Sequence, residues 1–284
     1  MVFLPPIPLR GTRMPVLTRL AVVSRGLSHT HSHKPPRSAA AAGALASNNT
    51  AEPPRSNRGP AFKYFSQRDA RFVLSATSPE QYKNIPHSPE VTFAGRSNVG
   101  KSSLINAILR SNQLVKTSRS PGHTSALNFF SLTSGACAGA ISVVDMPGYG
   151  FRSRDEWGQF IMKYLATRKV LRRVFLLVEA KVGELKATDL SFLELAEGYK
   201  VQVQIVLTKI DKLKQADLDK ISQAISRSAI DVAPSAVQPT VLYCSSRTKV
   251  GIEALQLELL RVCDMEPEAE QEGQEHTGQK ANSA

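Results

Sequence analysis

The sequence predicts an α/β domain, built on a mostly parallel six-stranded sheet with helices on both faces. Between residues 59 and 265, short apolar runs alternate with segments of helical periodicity, which is typical of strand-helix-strand units. The apolar runs are continuous, which indicates strands that are buried on both faces. Polar and glycine-rich motifs follow these runs, at the carboxyl ends of parallel strands where ligands bind.

Six strands and five helices account for the pattern. The strands are expected at residues 91–95, 124–132, 139–146, 173–180, 201–209 and 240–246. The helices are expected at residues 101–110, 155–171, 185–198, 215–228 and 249–263. The second and third strands follow one another across a short glycine-containing turn, so we expect them to form the antiparallel pair.

The loop after the first strand matches the phosphate-binding pattern GxxxxGK[ST]. A strand enters the loop and a helix leaves it, which is the context that the pattern requires. Backbone amides and the helix N-terminus are expected to hold phosphates, the lysine to reach the β and γ phosphates, and the serine hydroxyl to bind Mg²⁺. The loop consists of Gly95, Arg96, Ser97, Asn98, Val99, Gly100, Lys101 and Ser102.

The segment at the end of the strand at 201–209 indicates guanine as the base. It contains Thr208, Lys209, Ile210 and Asp211. We expect the Asp211 carboxylate to accept hydrogen bonds from guanine N1–H and the exocyclic amine, because adenine offers neither donor in this arrangement and an unpaired buried carboxylate is costly. The last strand ends in Cys244, Ser245 and Ser246, which are also predicted to belong to the nucleotide site. The backbone amides of the two serines are expected to face guanine O6.

Two segments between these motifs are expected to respond to the γ phosphate. Asp145 ends a strand and is expected to hold Mg²⁺ through water, while the Gly148 amide contacts the γ phosphate. Thr124 is expected to bind Mg²⁺ only while a γ phosphate is present, which makes residues 112–124 and 147–155 candidate switch segments. The predicted nucleotide site also includes Gly122, His123, Ser125, Ala126, Met146 and Pro147.

The two ends of the chain differ in composition from the domain at 59–265. The first 51 residues contain six Lys or Arg and no Asp or Glu. This composition predicts a mitochondrial transit peptide and linker over residues 1–58, with the matrix as the expected destination, and a disordered basic tail is the alternative. Residues 266–284, with five Glu and one Lys, are predicted to be a disordered acidic tail. The chain has no apolar run of about 18 residues, so no membrane span is expected.

The charge of the domain indicates a polyanionic partner. Of the net charge of +12, residues 1–58 carry +7 and residues 266–284 carry −4, which leaves +9 for the domain. RNA is the first candidate, and a merely soluble basic surface is the alternative. The candidate RNA contacts, which equally fit a solvated face, are Arg152, Arg154, Lys163, Arg168, Lys169, Arg172 and Arg173.

These motifs resemble those of the EngB (YihA) family of translation-factor-related GTPases. The resemblance spans residues 60–263 and is carried by GRSNVGKSSLIN, TSRSPGHTSALNFF, DMPGYG, TKIDK and SSRTKVGI. It implies a Ras-like P-loop GTPase fold, GTP and GDP as ligands, and a role in assembly of the large ribosomal subunit. Three residues depart from the family pattern: Glu179 replaces the usual Asp, Arg247 replaces a frequent Lys, and His123 lies beside the switch threonine.

The expected catalytic residues are Lys101, Thr124 and Asn98. Many GTPases have a water-orienting Gln directly after Gly148, but this chain has Tyr149. Since a tyrosine is not expected to orient water in the same way, we expect slow intrinsic hydrolysis that a partner or a monovalent cation accelerates. In related GTPases an Asn at the Asn98 position helps to bind K⁺, so K⁺ joins Mg²⁺ as a candidate cofactor. Capping of the loop is the alternative role of Asn98.

Three functions fit the motifs. The first is a GTP hydrolase that acts as an assembly switch on mitochondrial rRNA or a large-subunit precursor. The second is a nucleotide-gated binding module with little hydrolysis, which docks on a protein or makes peripheral contact with a mitochondrial membrane. The third is a P-loop kinase, which the TKID segment disfavours. The three cysteines lack the spacing of a metal site or a disulfide scaffold.

Overall fold

A seven-stranded sheet forms the centre of the computed structural model, which describes residues 59–85, 87–111, 113–115, 126–133, 141–149 and 155–265. The strands are β1 (Asp69–Ala76), β2 (Glu90–Gly95), β3 (Leu127–Thr133), β4 (Ile141–Asp145), β5 (Leu171–Glu179), β6 (Val203–Thr208) and β7 (Leu242–Tyr243). They lie in the order β1-β3-β4-β2-β5-β6-β7.

Most of the strand pairs are parallel, as predicted. β2 pairs in parallel with β4 and with β5, and β6 pairs in parallel with β5 and with β7. β3 and β4 form the antiparallel pair that was expected for the second and third predicted strands. All residues of β2, β4 and β6 are buried, which explains why these strands read as continuous apolar runs.

Seven α-helices cover the two faces of the sheet in the described part of the chain. They are α1 (Pro60–Ser66), α2 (Pro79–Tyr82), α3 (Lys101–Ile108), α4 (Asp155–Thr167), α5 (Ala187–Gly198), α6 (Gln215–Val232) and α7 (Ile252–Val262). The core on one face combines sheet residues with α1, α3 and α7, and the core on the other face combines them with α2, α4, α5 and α6. None of the helices in the described ranges has the length and apolar character needed to cross a membrane.

The prediction of six strands was wrong by one. β1 pairs antiparallel with β3 at the edge of the sheet. It escaped notice because it carries charged residues and exposes large apolar side chains, including 52% of Phe72. A half-covered edge strand therefore lacks the apolar run that reveals a central strand. The short helices α1 and α2 were also not predicted, since each spans at most two turns.

Candidate functional site

The phosphate-binding loop lies where the sequence predicted, between the end of β2 and the start of α3. Gly95 has a φ of +156°, and a Cβ atom there would approach the Leu177 carbonyl oxygen to 2.9 Å. The loop therefore leaves the sheet through a backbone conformation that requires glycine. Val99 is buried in the core below the loop, while Arg96 and Asn98 are exposed and Ser102 is half-buried.

Lys101 and Asp145 form an ion pair beneath this loop. Lys101 begins α3 and Asp145 ends β4, and their side chains are 9% and 2% exposed. A buried pair of this kind is stable only while both charges have partners. The loop, the lysine and the carboxylate thus lie together at one edge of the sheet, where the sequence predicts a phosphate site.

The residues at this edge fit a magnesium ion that is bound together with phosphates. Asp145 offers a carboxylate and Ser102 a hydroxyl group, and both lie beside Lys101 in sequence or space. No group of three His, Cys, Asp or Glu in the described ranges is able to hold a metal ion. Because Mg²⁺ commonly uses one or two protein oxygens and takes its other ligands from phosphates and water, this donor set suits a nucleotide-bound ion.

Asp211 is held in a defined orientation by two neighbours. The Ser245 hydroxyl donates a hydrogen bond to Asp211 Oδ1 over 2.6 Å, and the Arg247 guanidinium lies 2.7 Å from Oδ2. The bond from Ser245, followed by the charge of Arg247, holds the pKa of Asp211 below its usual value. The carboxylate is therefore ionised at neutral pH and able to accept hydrogen bonds from guanine.

The neighbours of Asp211 tie the base-binding segment to the phosphate-binding loop. The Thr208 hydroxyl donates to the Val99 carbonyl over 2.8 Å. The Lys209 ammonium donates to the Asn98 carbonyl over 2.7 Å and to Glu179 Oε2 over 2.8 Å. Ile210 is buried. The two predicted halves of the nucleotide site are thus joined through direct contacts.

One predicted base contact, at Ser245, and the predicted place of Cys244 in the nucleotide site are corrected by the hydrogen bonds of the last loop. The Ser245 amide donates to the Val250 carbonyl over 2.9 Å, so it does not face guanine O6, and its hydroxyl orients Asp211 instead. The Cys244 amide donates to Leu207, and burial raises the pKa of the Cys244 thiol to about 12. Cys244 therefore supports the loop, and the contact of the Ser246 amide with the base stays a prediction.

Comparison with known proteins shows the family to which this chain belongs. The model of the 50S ribosome-binding GTPase family matches residues 90–209. The probable GTP-binding protein EngB of Gluconobacter oxydans is 44% identical over 179 residues, which cover 61% of this chain and 75% of that protein. The EngB protein of Rhodospirillum rubrum is 42% identical over 201 residues, which cover 69% and 84%. The chain belongs to the EngB family.

An EngB protein is a GTPase, so this chain binds and hydrolyses GTP on a Ras-like P-loop domain. The crystal structure of Toc33 from Arabidopsis thaliana in complex with GDP and Mg²⁺ has the same fold. It is 16% identical, has a TM-score of 0.51, and the match covers 72% of this chain and 90% of Toc33. That likeness concerns the fold alone.

The two candidate switch segments are described in part. Gly122, His123, Thr124 and Ser125 lie outside the described residues, and Ala126 directly precedes β3. Directly before the second segment, the Met146 amide donates to the Phe93 carbonyl over 3.1 Å, and both Met146 and Pro147 are buried. Gly148 lies against Ser97 of the phosphate-binding loop, and Tyr149 points into the core.

Sequence reasoning missed two polar residues that support the EngB site. The Asn106 side chain in α3 donates to the Val115 carbonyl and accepts from the Val115 amide, each over 2.8 Å, at the start of the first candidate switch. Asp189 in α5 accepts a hydrogen bond from the Tyr149 hydroxyl. The Asn of the LIN segment was visible in the sequence, but nothing in the sequence linked Asp189 to residue 149.

The basic cluster of this EngB chain separates into two sets. Arg168 forms a buried bidentate pair with Glu90, and Arg173 forms an ion pair with Glu258. These two arginines therefore hold the fold together and are unsuited to contact RNA. Lys163, Lys169 and Arg172 are exposed. Arg152 and Arg154 lie outside the described residues.

Proposed function

We propose that this EngB GTPase is a nucleotide-controlled switch in assembly of the mitochondrial large ribosomal subunit. The observation that supports the switch is the contact between the two parts of the nucleotide site. Lys209, two residues before Asp211, donates a hydrogen bond to the Asn98 carbonyl in the loop that begins at Gly95. Base and phosphates therefore act on one connected set of residues.

The ribosomal role has three supports. The matching family model describes a 50S ribosome-binding GTPase. The domain keeps a charge of +9 when both ends are set aside, which suits a polyanion such as rRNA. The acid-free basic composition of the first 51 residues supports import into the mitochondrial matrix.

Each polar residue has a defined task in the proposed reaction. The loop amides and Lys101 bind the phosphates, Ser102 holds the magnesium ion directly and Asp145 through water, and Asp211 selects guanine. When bound, Mg²⁺ supplies positive charge that stabilises the transferred phosphoryl group. Thr124 is the proposed further metal ligand.

Slow intrinsic hydrolysis is part of the proposal. The Tyr149 side chain is buried and hydrogen-bonded to Asp189, so it does not take the water-orienting role. We expect K⁺ beside Asn98 or a ribosomal partner to accelerate the reaction. Turnover is measured in KCl and NaCl for wild type and Asn98→Ala; acceleration by K⁺ in wild type alone supports the cation site, and equal rates in both salts contradict it.

Binding to the ribosomal particle is tested by co-sedimentation. The full chain is mixed with mitochondrial large-subunit precursors in the presence of a non-hydrolysable GTP analogue or GDP. We expect enrichment with the analogue and loss of enrichment in Asp211→Asn. Equal sedimentation with both nucleotides contradicts the switch and favours a constitutive binder.

The exposed basic residues give the rRNA proposal its own test. Charge reversal at Lys169 and Arg172 is expected to weaken association with the particle and to flatten its salt dependence. Nucleotide affinity stays at the wild-type value, because neither residue belongs to the nucleotide site. An unchanged salt dependence places the rRNA contact elsewhere.

A further inference from the structure

Tyr149 extends the sheet into the phosphate-binding loop. Its amide donates to the Gly95 carbonyl over 3.3 Å, and its carbonyl accepts from the Ser97 amide over 3.3 Å. Tyr149 thereby forms a parallel bridge with Arg96. These bonds continue the pairing of β4 with β2 beyond the ends of both strands, so the backbone at residue 149 is attached to the loop that binds phosphate.

Gly148 lies between the end of β4 and the bridge formed by Tyr149, and it is close to the phosphate-binding loop. A Cβ atom at residue 148 would lie 3.0 Å from Ser97 Oγ and 3.1 Å from both Ser97 N and Cα. The Gly148 backbone therefore packs directly against the loop. Any displacement of Tyr149 would carry Gly148 with it, because the two residues are adjacent in the chain.

The Tyr149 side chain contacts helix α5. Its hydroxyl donates to Asp189 Oδ1 over 2.7 Å, and its ring stacks on Phe192 with centroids 5.7 Å apart and an interplanar angle of 13°. Tyr149 is 7% exposed and Asp189 is 2% exposed. Burial, followed by the Asp189 charge, raises the pKa of the Tyr149 phenol well above its usual value, so the phenol keeps the proton that it donates.

Asp189 is itself immobilised by its helix. Its second oxygen, Oδ2, accepts a hydrogen bond from the Lys186 amide over 2.9 Å at the start of α5. Asp189 is the N3 residue of a capping box, in which the side chain bonds the backbone amide of the N-cap residue. The bond from Tyr149 to Asp189 therefore attaches residue 149 to the start of α5. Because Gly148 is the preceding residue, its position is restricted as well.

We propose that Tyr149 and Asp189 form a positioning pair that holds the Gly148 amide towards the γ phosphate. The proposal deepens the proposed nucleotide site and rests on it, but it does not depend on the ribosomal role. GTP has a γ phosphate and GDP lacks one. Loosening the pair should therefore weaken GTP binding and hydrolysis selectively, whereas loss of ordinary core packing would weaken both nucleotides alike.

The chain offers a matched control. The Tyr164 hydroxyl donates to Glu90 Oε1 over 2.9 Å, and Tyr164 is completely buried in the same core. Tyr164→Phe thus removes a tyrosine hydroxyl that donates to a buried carboxylate, as Tyr149→Phe does. Glu90 begins β2, however, whereas the loop starts at the other end of that strand.

The test compares full-length wild type, Tyr149→Phe, Asp189→Asn and Tyr164→Phe. Affinities for fluorescent GDP and a fluorescent non-hydrolysable GTP analogue are measured in Mg²⁺, together with single-turnover hydrolysis and thermal unfolding. For Tyr149→Phe we expect about a tenfold loss of analogue affinity, as for one weakened charge-assisted hydrogen bond. GDP affinity is expected to stay within about twofold, since GDP makes no γ contact. Tyr164→Phe should leave the ratio of the two affinities unchanged.

Several results would overturn the positioning pair. It fails if Tyr149→Phe lowers both affinities in proportion, changes neither, or behaves as Tyr164→Phe does. Asp189→Asn keeps the side-chain shape and an acceptor oxygen, so it replaces Tyr149→Phe in the test if that variant unfolds. It should lose less affinity for the GTP analogue than Tyr149→Phe, and its GDP affinity should stay unchanged. A wild-type protein that binds neither nucleotide would refute the nucleotide site itself, which separates that failure from a failure of the pair.

Discussion

The ammonium group of Lys209 donates a hydrogen bond to the backbone carbonyl of Asn98 over 2.7 Å, although 111 residues separate them in the chain. Lys209 adopts a left-handed conformation with φ of +58°, which turns its side chain from the end of β6 towards the phosphate-binding loop. The segment that reads the base and the loop that holds the phosphates are therefore mechanically connected. Residues that hold Lys209 should affect how long a nucleotide stays bound.

Glu179→Gln is expected to speed GDP release about three- to tenfold. Glu179 accepts hydrogen bonds from Lys209 and from Lys212. Burial opposes its ionisation, but the bonds from the two lysines prevail and set its pKa below the usual value, so the substitution removes a full charge. Of the two pairs that are lost, the one with Lys209 bears on the nucleotide, and a partly exposed pair of this kind is worth about 1 kcal/mol. Release of fluorescent GDP is measured by stopped flow.

Glu184→Gln is the control for that experiment. Glu184 also pairs with a lysine, Lys186, but it lies in an exposed pair beyond the end of β5. We expect its GDP release rate to equal the wild-type rate. Equal acceleration in both variants would show a general charge effect, and no acceleration in Glu179→Gln would show that Lys209 keeps its position without Glu179.

Asn106→Ala is expected to lower the free energy of unfolding by about 2 kcal/mol, because it leaves both backbone groups of Val115 without their buried partner. Denaturant unfolding measures the loss, and amide hydrogen exchange should show Val115 losing its protection. Ser75→Ala is the control. It breaks an exposed side-chain bond to Asn128 and should cost less than about 0.5 kcal/mol. Unchanged protection at Val115 in Asn106→Ala would contradict the anchoring role.

Arg168→Ala and Lys169→Ala should have opposite consequences despite being neighbours. Removing Arg168 leaves the Glu90 carboxylate buried with one partner fewer, which is expected to cost about 3 kcal/mol of folding stability. Lys169 is exposed, so its loss should leave stability unchanged and weaken association with ribosomal particles. Chemical unfolding and co-sedimentation measure the two effects. Weaker association of a fully folded Arg168→Ala protein would restore Arg168 as an RNA contact.

The parts of the fold that could be predicted are those whose signal lies in a few consecutive residues of the sequence. β2, β4 and β6 are buried throughout, and each ends in a motif whose chemistry is contained in a few consecutive residues. Gly95, Asp145 and Asp211 could therefore be placed at one edge before any contact was known. β1 could not, because its exposed edge position leaves a mixed pattern.

The partners of the motif residues could not be predicted because they come from distant segments. Tyr149 lies 40 residues before Asp189 and Lys101 lies 44 residues before Asp145. The assumption that charged residues lie on the surface was also wrong for two arginines. Arg168 and Arg173 counted towards a basic surface, yet each is used inside the fold by a glutamate more than 70 residues away. Composition does not reveal which charges are already paired.

The most direct test of the account measures the affinity of the full chain for GTP and ATP, with Asp211→Asn alongside. In the presence of Mg²⁺, wild type is expected to prefer GTP by about 10⁴-fold. Asp211→Asn should lose that preference and gain affinity for xanthosine triphosphate, because the new amide donates to the 2-oxo group of xanthine. Equal binding of GTP and ATP by wild type, or an Asp211→Asn protein that still prefers GTP, would contradict the central claim that this carboxylate selects the base.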